Sequence, residues 1–119
     1  GFRLFREGDA SSQTIKLNVG TGADESWNNG TTIDATTGEW IHIAFTISTS
    51  ESVLYINGNA VNTGTLTQPI SWDGIDMISV MSGTPHFTEW GHLSDPSYMD
   101  DLRFYNKALS ADEVAALAN

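Results

Sequence analysis

The sequence predicts an antiparallel all-β sandwich followed by one short C-terminal helix, and three observations carry that expectation. Ile41, Ile43, Phe45 and Ile47 alternate with Trp40, His42, Ala44 and Thr46, the period of two that marks a β-strand. Asn57-Gly58 separates the run Val53-Leu54-Tyr55-Ile56 from Asn59-Ala60-Val61, and this dipeptide supplies both positive-φ positions of a type I′ hairpin turn. Ser110 stands three residues before Glu113, the spacing of a capping box that satisfies orphan amides at a helix start.

In chain order, Phe2 to Arg6 and Thr14 to Val19 are the first strand candidates. The run from Trp40 to Ile47 is the most regular. Its second face carries Trp40 and Ala44, so the strand is expected to be central and covered in part on both sides, with Trp40 packed. The Asn57-Gly58 hairpin follows, then strand candidates at Asp76 to Met81 and Met99 to Tyr105. The intervening stretches are dense in Gly, Asn, Ser, Asp and Pro, as loops require, and Trp27, Trp72 and Trp90 fall within them. After Leu109, Val114 and Leu117 give one apolar stripe on a helix of about two turns. No internal repeat or low-complexity linker is visible, and 119 residues with 39% hydrophobic content suit one domain over residues 1–119.

Composition narrows the function classes. Five Lys plus Arg against 15 Asp plus Glu give a formal net charge of -10, which opposes binding to a phosphate backbone and excludes nucleic acid as the main partner. No apolar run reaches the roughly 18 residues of a membrane span, so membrane insertion is not expected. The absence of Cys removes disulfides, thiolate catalysis and Cys-based zinc sites. An acidic, Lys-poor surface rich in Ser, Thr, Asn and Gly, with four Trp, has the look of secreted bacterial sugar-related modules. The expected location is therefore extracellular or at the cell surface.

Three segments in order are Gly38-Glu39-Trp40-Ile41-His42-Ile43-Ala44-Phe45-Thr46, Leu54-Tyr55-Ile56-Asn57-Gly58, and the tail from Met99-Asp100-Asp101-Leu102-Arg103-Phe104-Tyr105 through Glu113. Together they resemble the laminin-G-like branch of the concanavalin A-like lectin and glucanase jelly rolls. The resemblance implies a concanavalin A-like β-sandwich whose recognition chemistry lies in its connecting segments. The family also places two or three strands before the segment that Phe2-Arg3-Leu4-Phe5 resembles, so an incomplete sandwich with an open sheet edge is expected. Other domains of a longer parent chain, a remodelled N-terminal segment or a second copy would cover that edge.

Sugar binding in such sandwiches uses an aromatic ring against the C–H face of a pyranose and planar polar groups that bridge adjacent hydroxyls. Trp90, Trp27 and Trp72 are the candidate rings, with Asp24, Asn28, Glu89 and His92 as polar partners. The competing reading is that each indole covers an end of the sandwich with its N–H bonded to a loop carbonyl. The stretch from Ser82 to Tyr98, with His86, Glu89, Trp90, His92 and Asp95, is long for a loop and is the first place to seek a site.

Jelly rolls of this kind often carry Ca²⁺, which wants six to eight hard oxygens, and Asp73 with Asp76 around Gly74 is the candidate metal pair. Asp24, Glu25, Asn28 and Asn29, and Asp95 with Asp100, are further oxygen-rich groupings. His42, His86 and His92 lack a metal-ligand spacing. In the tail, Arg103 is expected to pair with a carboxylate. The Glu-x-Asp-x-Glu strand of related glycosidases and the Gly-x-Ser-x-Gly elbow of serine hydrolases are both absent. The sequence thus points to a non-catalytic carbohydrate-binding or adhesion module whose partner is a glycan or a surface protein. The alternatives are a structural spacer or protein-interaction domain and, third, a glycoside hydrolase.

Overall fold

In the computed structural model, residues 1–94 and 96–119 are described, and they divide into two compact units. The first, Gly1–Asp73 with Tyr105–Asn119, holds two three-stranded antiparallel sheets and the helix. One sheet has the order β1 (Phe2–Asp9), β2 (Ser12–Gly20), β3 (Glu25–Ile33); the other has β4 (Ile43–Ile47), β5 (Glu51–Ile56), β6 (Asn59–Thr65). The helix α1 spans Ala111–Leu117. No helix among the described residues is long and apolar enough to cross a membrane.

The core follows from alternation. Ile15, Leu17 and Val19 on β2 are buried on one face, and Leu54 of β5, Leu66 and Val114 of α1 are buried as well. Phe2, Phe45, Ile47 and Ile70 pack against the cluster of Leu17, Val19 and Leu66. Burying each such side chain contributes about 1.5–3 kcal/mol, so this apolar layer is the main stabilising term. Polar struts join the two sheets at β3. Asn28, 1% exposed, donates through Nδ2 to Ser52 O at 3.2 Å and Asn62 O at 3.1 Å, and its Oδ1 accepts from Gly30 N at 3.0 Å. Ser26 Oγ donates to Thr65 O at 2.7 Å.

The hairpin and the cap form as the sequence predicts. Asn57 and Gly58 sit at φ 50° and 80°, joining β5 to β6. Ser110 Oγ accepts from Glu113 N, and the Glu113 side chain accepts from Ser110 N, the two halves of the capping box. Arg103 finds its carboxylate in Asp101, through Nε to Oδ1 at 2.8 Å and Nη2 to Oδ2 at 2.9 Å.

Four expectations are corrected. The stretch around Trp27 is not a loop but β3, with Trp27 opposite Asn18. Its register with β2 slips between Ile15 and Leu17, where β3 carries an extra residue and Gly30 adopts φ 53°. A Cβ at Gly30 would lie 1.8 Å from Ile15 O, so this bulge demands glycine. Asp76 to Met81 and Met99 to Tyr105 are not strands: neither has a ladder partner among the described residues, and Met81 and Asp101 take left-handed φ values of 61° and 56° that interrupt extended chain. Trp40 is 70% exposed rather than packed, because β4 begins only at Ile43. The second unit, Gly74–Phe104, therefore leaves Ile78, Leu102 and Phe104 more than half exposed.

Candidate functional site

The outer face of the first sheet, opposite the core, gathers a row of polar and aromatic side chains. Register sets Arg3 opposite Asn18 and Asn18 opposite Trp27, so the three form a row across β1, β2 and β3. Glu25 and Phe5 lie two residues from Trp27 and Arg3 along their strands and share this face. The Phe5 ring meets the Trp27 indole edge-on at 6.0 Å and 89°.

Glu25 ties the row together. Trp27 Nε1 donates to its Oε1 at 3.0 Å, Asn18 Nδ2 donates to its Oε2 at 3.0 Å, and Arg3 Nη2 stands 3.8 Å from Oε2. Arg3 also donates to Asn18 Oδ1, from Nε at 3.2 Å and Nη2 at 2.6 Å. The hydrogen bond from Trp27, then that from Asn18, holds the Glu25 carboxyl below the usual glutamate value, with Arg3 adding to the effect. Trp27 remains 42% exposed. The indole is thus fixed in orientation at its N–H while part of its surface stays open to a flat apolar partner.

The remaining predicted residues are scattered. Asp24 is exposed in the turn before β3, beside this row, and its Oδ1 accepts from Glu25 N at 2.8 Å. Asn28 is no surface ligand: it faces the core and its amide is spent on the inter-sheet bonds. Trp72, 55% exposed, meets Phe2 edge-on at 6.1 Å. Phe2 pairs with buried Val19 and so lies on the core face, which puts Trp72 and Trp27 on opposite faces of the same sheet.

In the second unit, Trp90 is 92% exposed at φ 59° within a 3₁₀ turn, Glu89–Gly91. Glu89 is exposed beside it. His92 is half-buried and stacks on Phe87 at 4.7 Å and 18°. Asp95 lies outside the described residues.

Among the described residues no group of three or more His, Asp or Glu gathers where it could hold an ion. Asp73 belongs to the first unit and Asp76 to the second, where the Asp76 carboxylate lies 3.7 Å from His86 Nε2. A shallow cavity of about 330 Å³ beside α1 is lined by Tyr105, Lys107, Leu109, Glu113, Ala116 and Leu117. Its two charged groups pair with each other at 2.7 Å, and Glu113 also serves the helix cap.

Arg3, Phe5 and Asn18 were not singled out from the sequence, and Glu25 stood there only within an oxygen-rich grouping. The alternation Glu25-x-Trp27 was the available signal, hidden because the surrounding Ser, Asn and Gly read as loop.

A family model described as the concanavalin A-like lectin/glucanases superfamily, in its laminin-G branch, matches residues 1–115. Among solved structures, residues 221–444 of an S-layer domain-containing protein from Clostridium thermocellum ATCC 27405 are similar in fold, with a TM-score of 0.57 and 24% identity. That alignment covers 100% of this chain and 64% of the other. A search of curated proteins found no match.

Proposed function

The chain belongs to the concanavalin A-like lectin/glucanases superfamily, and from that premise we propose that it is a non-catalytic glycan-binding module of a cell-surface protein. Its contact face is the Trp27 row of the first sheet. One observation carries the reading: an indole held at its N–H by Glu25 is still 42% exposed, with Arg3 and Asn18 beside it on a regular sheet. Fixing such a ring before binding reduces the ordering cost of stacking. Asp24 adds an exposed carboxylate at the rim. The S-layer domain-containing neighbour supports placement at a surface.

A stacked ring hiding about 60 Å² of apolar area contributes about 1.5 kcal/mol, close to a tenfold change in affinity. Affinity electrophoresis against a panel of neutral polysaccharides is expected to show retardation that Trp27→Ala weakens about tenfold, with thermal stability nearly kept. Retardation equal in the parent and Trp27→Ala chains would rule this face out.

A second reading, a protein-interaction module, draws on the apolar side chains of the second unit, where Trp90, Tyr98 and Phe104 are 92%, 90% and 62% exposed. It predicts no retardation by any saccharide. Trp90, Glu89 and His92 would then form part of a protein contact rather than a sugar contact.

A further inference from the structure

The rings of Phe5 and Trp27 meet 6.0 Å apart although β1 and β3, which carry them, lie on either side of β2. They therefore lean together over β2. Asn18, which takes the β2 place between Arg3 and Trp27, is only 4% exposed although it lies on the outer face. A buried amide must find hydrogen-bond partners, and Asn18 uses both of its ends. Oδ1 accepts from Arg3 Nε at 3.2 Å and Nη2 at 2.6 Å, while Nδ2 donates to Glu25 Oε2 at 3.0 Å and Ser26 O at 3.4 Å. A guanidinium only donates and an ionised carboxylate only accepts, so the amide sits one way round.

We propose that Asn18 is the positioning residue of the Trp27 face: it passes a fixed hydrogen-bond direction from Arg3 to Glu25, and Glu25 serves the indole as an acceptor rather than the ligand as a charge. The relay runs from Arg3 to Asn18 Oδ1 and from Asn18 Nδ2 to Glu25 Oε2, and the opposite oxygen, Oε1, receives Trp27 Nε1 at 3.0 Å. Glu25 is exposed, and one bond at one oxygen would leave its long side chain free to swing. Two donors, one at each oxygen, fix the carboxylate and with it the ring. The backbone on both sides of Trp27 is already tied to β6, by Ser26 Oγ to Thr65 O at 2.7 Å and Asn28 Nδ2 to Asn62 O at 3.1 Å. Side-chain torsions are the freedom that the relay removes. The inference rests on the glycan reading of this face only for what the fixed ring is held to do.

Asn18→Asp keeps the side-chain shape and replaces the donor with an acceptor, which sets two carboxylate oxygens against each other across the 3.0 Å contact. Exchanging the pair, Asn18→Asp/Glu25→Gln, regains each step of the relay. The amide at position 25 accepts from Trp27 and donates to the carboxylate at position 18, which accepts from Arg3. Net charge is unchanged, and of the Asn18 bonds only the one to Ser26 O at 3.4 Å is not recovered.

The first readout is the Trp27 Nε1–H cross-peak in a ¹⁵N–¹H spectrum, identified by its loss in Trp27→Phe, at mildly alkaline pH where neither carboxyl keeps a proton. It is expected to move in Asn18→Asp and to return near its parental position in the exchanged pair. Affinity electrophoresis in hydroxyethylcellulose, galactomannan and laminarin gels should follow it. Retardation is expected to weaken in Asn18→Asp nearly as far as in Trp27→Ala, and to recover to within about threefold in the exchanged pair. An unmoved cross-peak in Asn18→Asp would overturn the proposal, as would an exchanged pair that is unfolded or whose cross-peak stays displaced. So would a parental cross-peak with retardation lost, because Glu25 would then meet sugar with its charge. Should Asn18→Asp fail to fold, the exchanged pair decides alone by the same criteria. If no polysaccharide retards the parent chain, the glycan reading fails, and the cross-peaks still decide whether Asn18 positions the ring.

Discussion

Glu25 and Asn28 lie three residues apart on one strand and do opposite work. Glu25 faces outward and its charged form is favoured by the Trp27 and Asn18 hydrogen bonds, which hold its titration below the usual value of about 4.3. Its folded-state value is depressed, so the stabilisation is fully present above the unfolded value and is lost as pH falls through the folded one. In ¹³C-detected titration, Trp27→Phe, which deletes the N–H donor, is expected to move the Glu25 midpoint upward; an unmoved midpoint would mean that the indole does not hold the carboxylate. Asn28 faces inward, and Asn28→Ala would strip hydrogen bonds from the buried Ser52 and Asn62 carbonyls. Denaturant unfolding should show a loss of about 2–4 kcal/mol, with retention of glycan affinity by the fraction that remains folded. Composition marked Trp27 as an open ring and could not separate these two partners, because which face a polar residue takes depends on a strand that the sequence hides as loop.

Elements whose hydrogen bonds are local were legible. The Asn57-Gly58 turn and the Ser110–Glu113 cap satisfy their own backbone groups within a few residues, so their sequence patterns suffice. Elements that depend on distant partners were not. β3 is a strand because β2 pairs with it and Asn28 bonds across to the other sheet, although its composition favours turns. Asp76 to Met81 and Met99 to Tyr105 have strand-like alternation and no ladder among the described residues. The hairpin also shows how local geometry serves packing. Gly58 sits at φ 80°, and a Cβ there would come within 3.0 Å of Ala118 Cβ and 3.1 Å of Ala115 Cα, so the turn is seated against α1. Gly58→Ala should therefore destabilise the fold by about 2 kcal/mol, one part from left-handed backbone and the rest from displacing the helix. A thermal melt reads the loss, and a variant as stable as the parent would show that α1 does not rest on the turn.

For the whole molecule, charge decides which glycans the Trp27 face can take. The cations Arg3, Arg6 and Lys16 all lie on β1 and β2, but 15 acidic residues against 5 basic ones leave the surrounding field negative. Arg3 is bonded to Asn18 and near Glu25, and Lys16 pairs with Glu7, so the local cations are already matched with acceptors. A sulfated or uronic-acid chain approaching this face meets net repulsion over a Debye length of about 10 Å at 0.1 M salt, whereas a neutral chain meets none. Neutral polysaccharides should therefore bind with an affinity that hardly changes with ionic strength. Anionic ones should bind more weakly at low salt and gain as salt screens the repulsion. Isothermal titration calorimetry of a matched neutral and sulfated pair at 20 and 300 mM salt distinguishes the cases. Tighter binding of the sulfated chain at low salt would mean that Arg3 and Lys16, the cations on that face, dominate the contact and that the acidic surface does not set its selectivity.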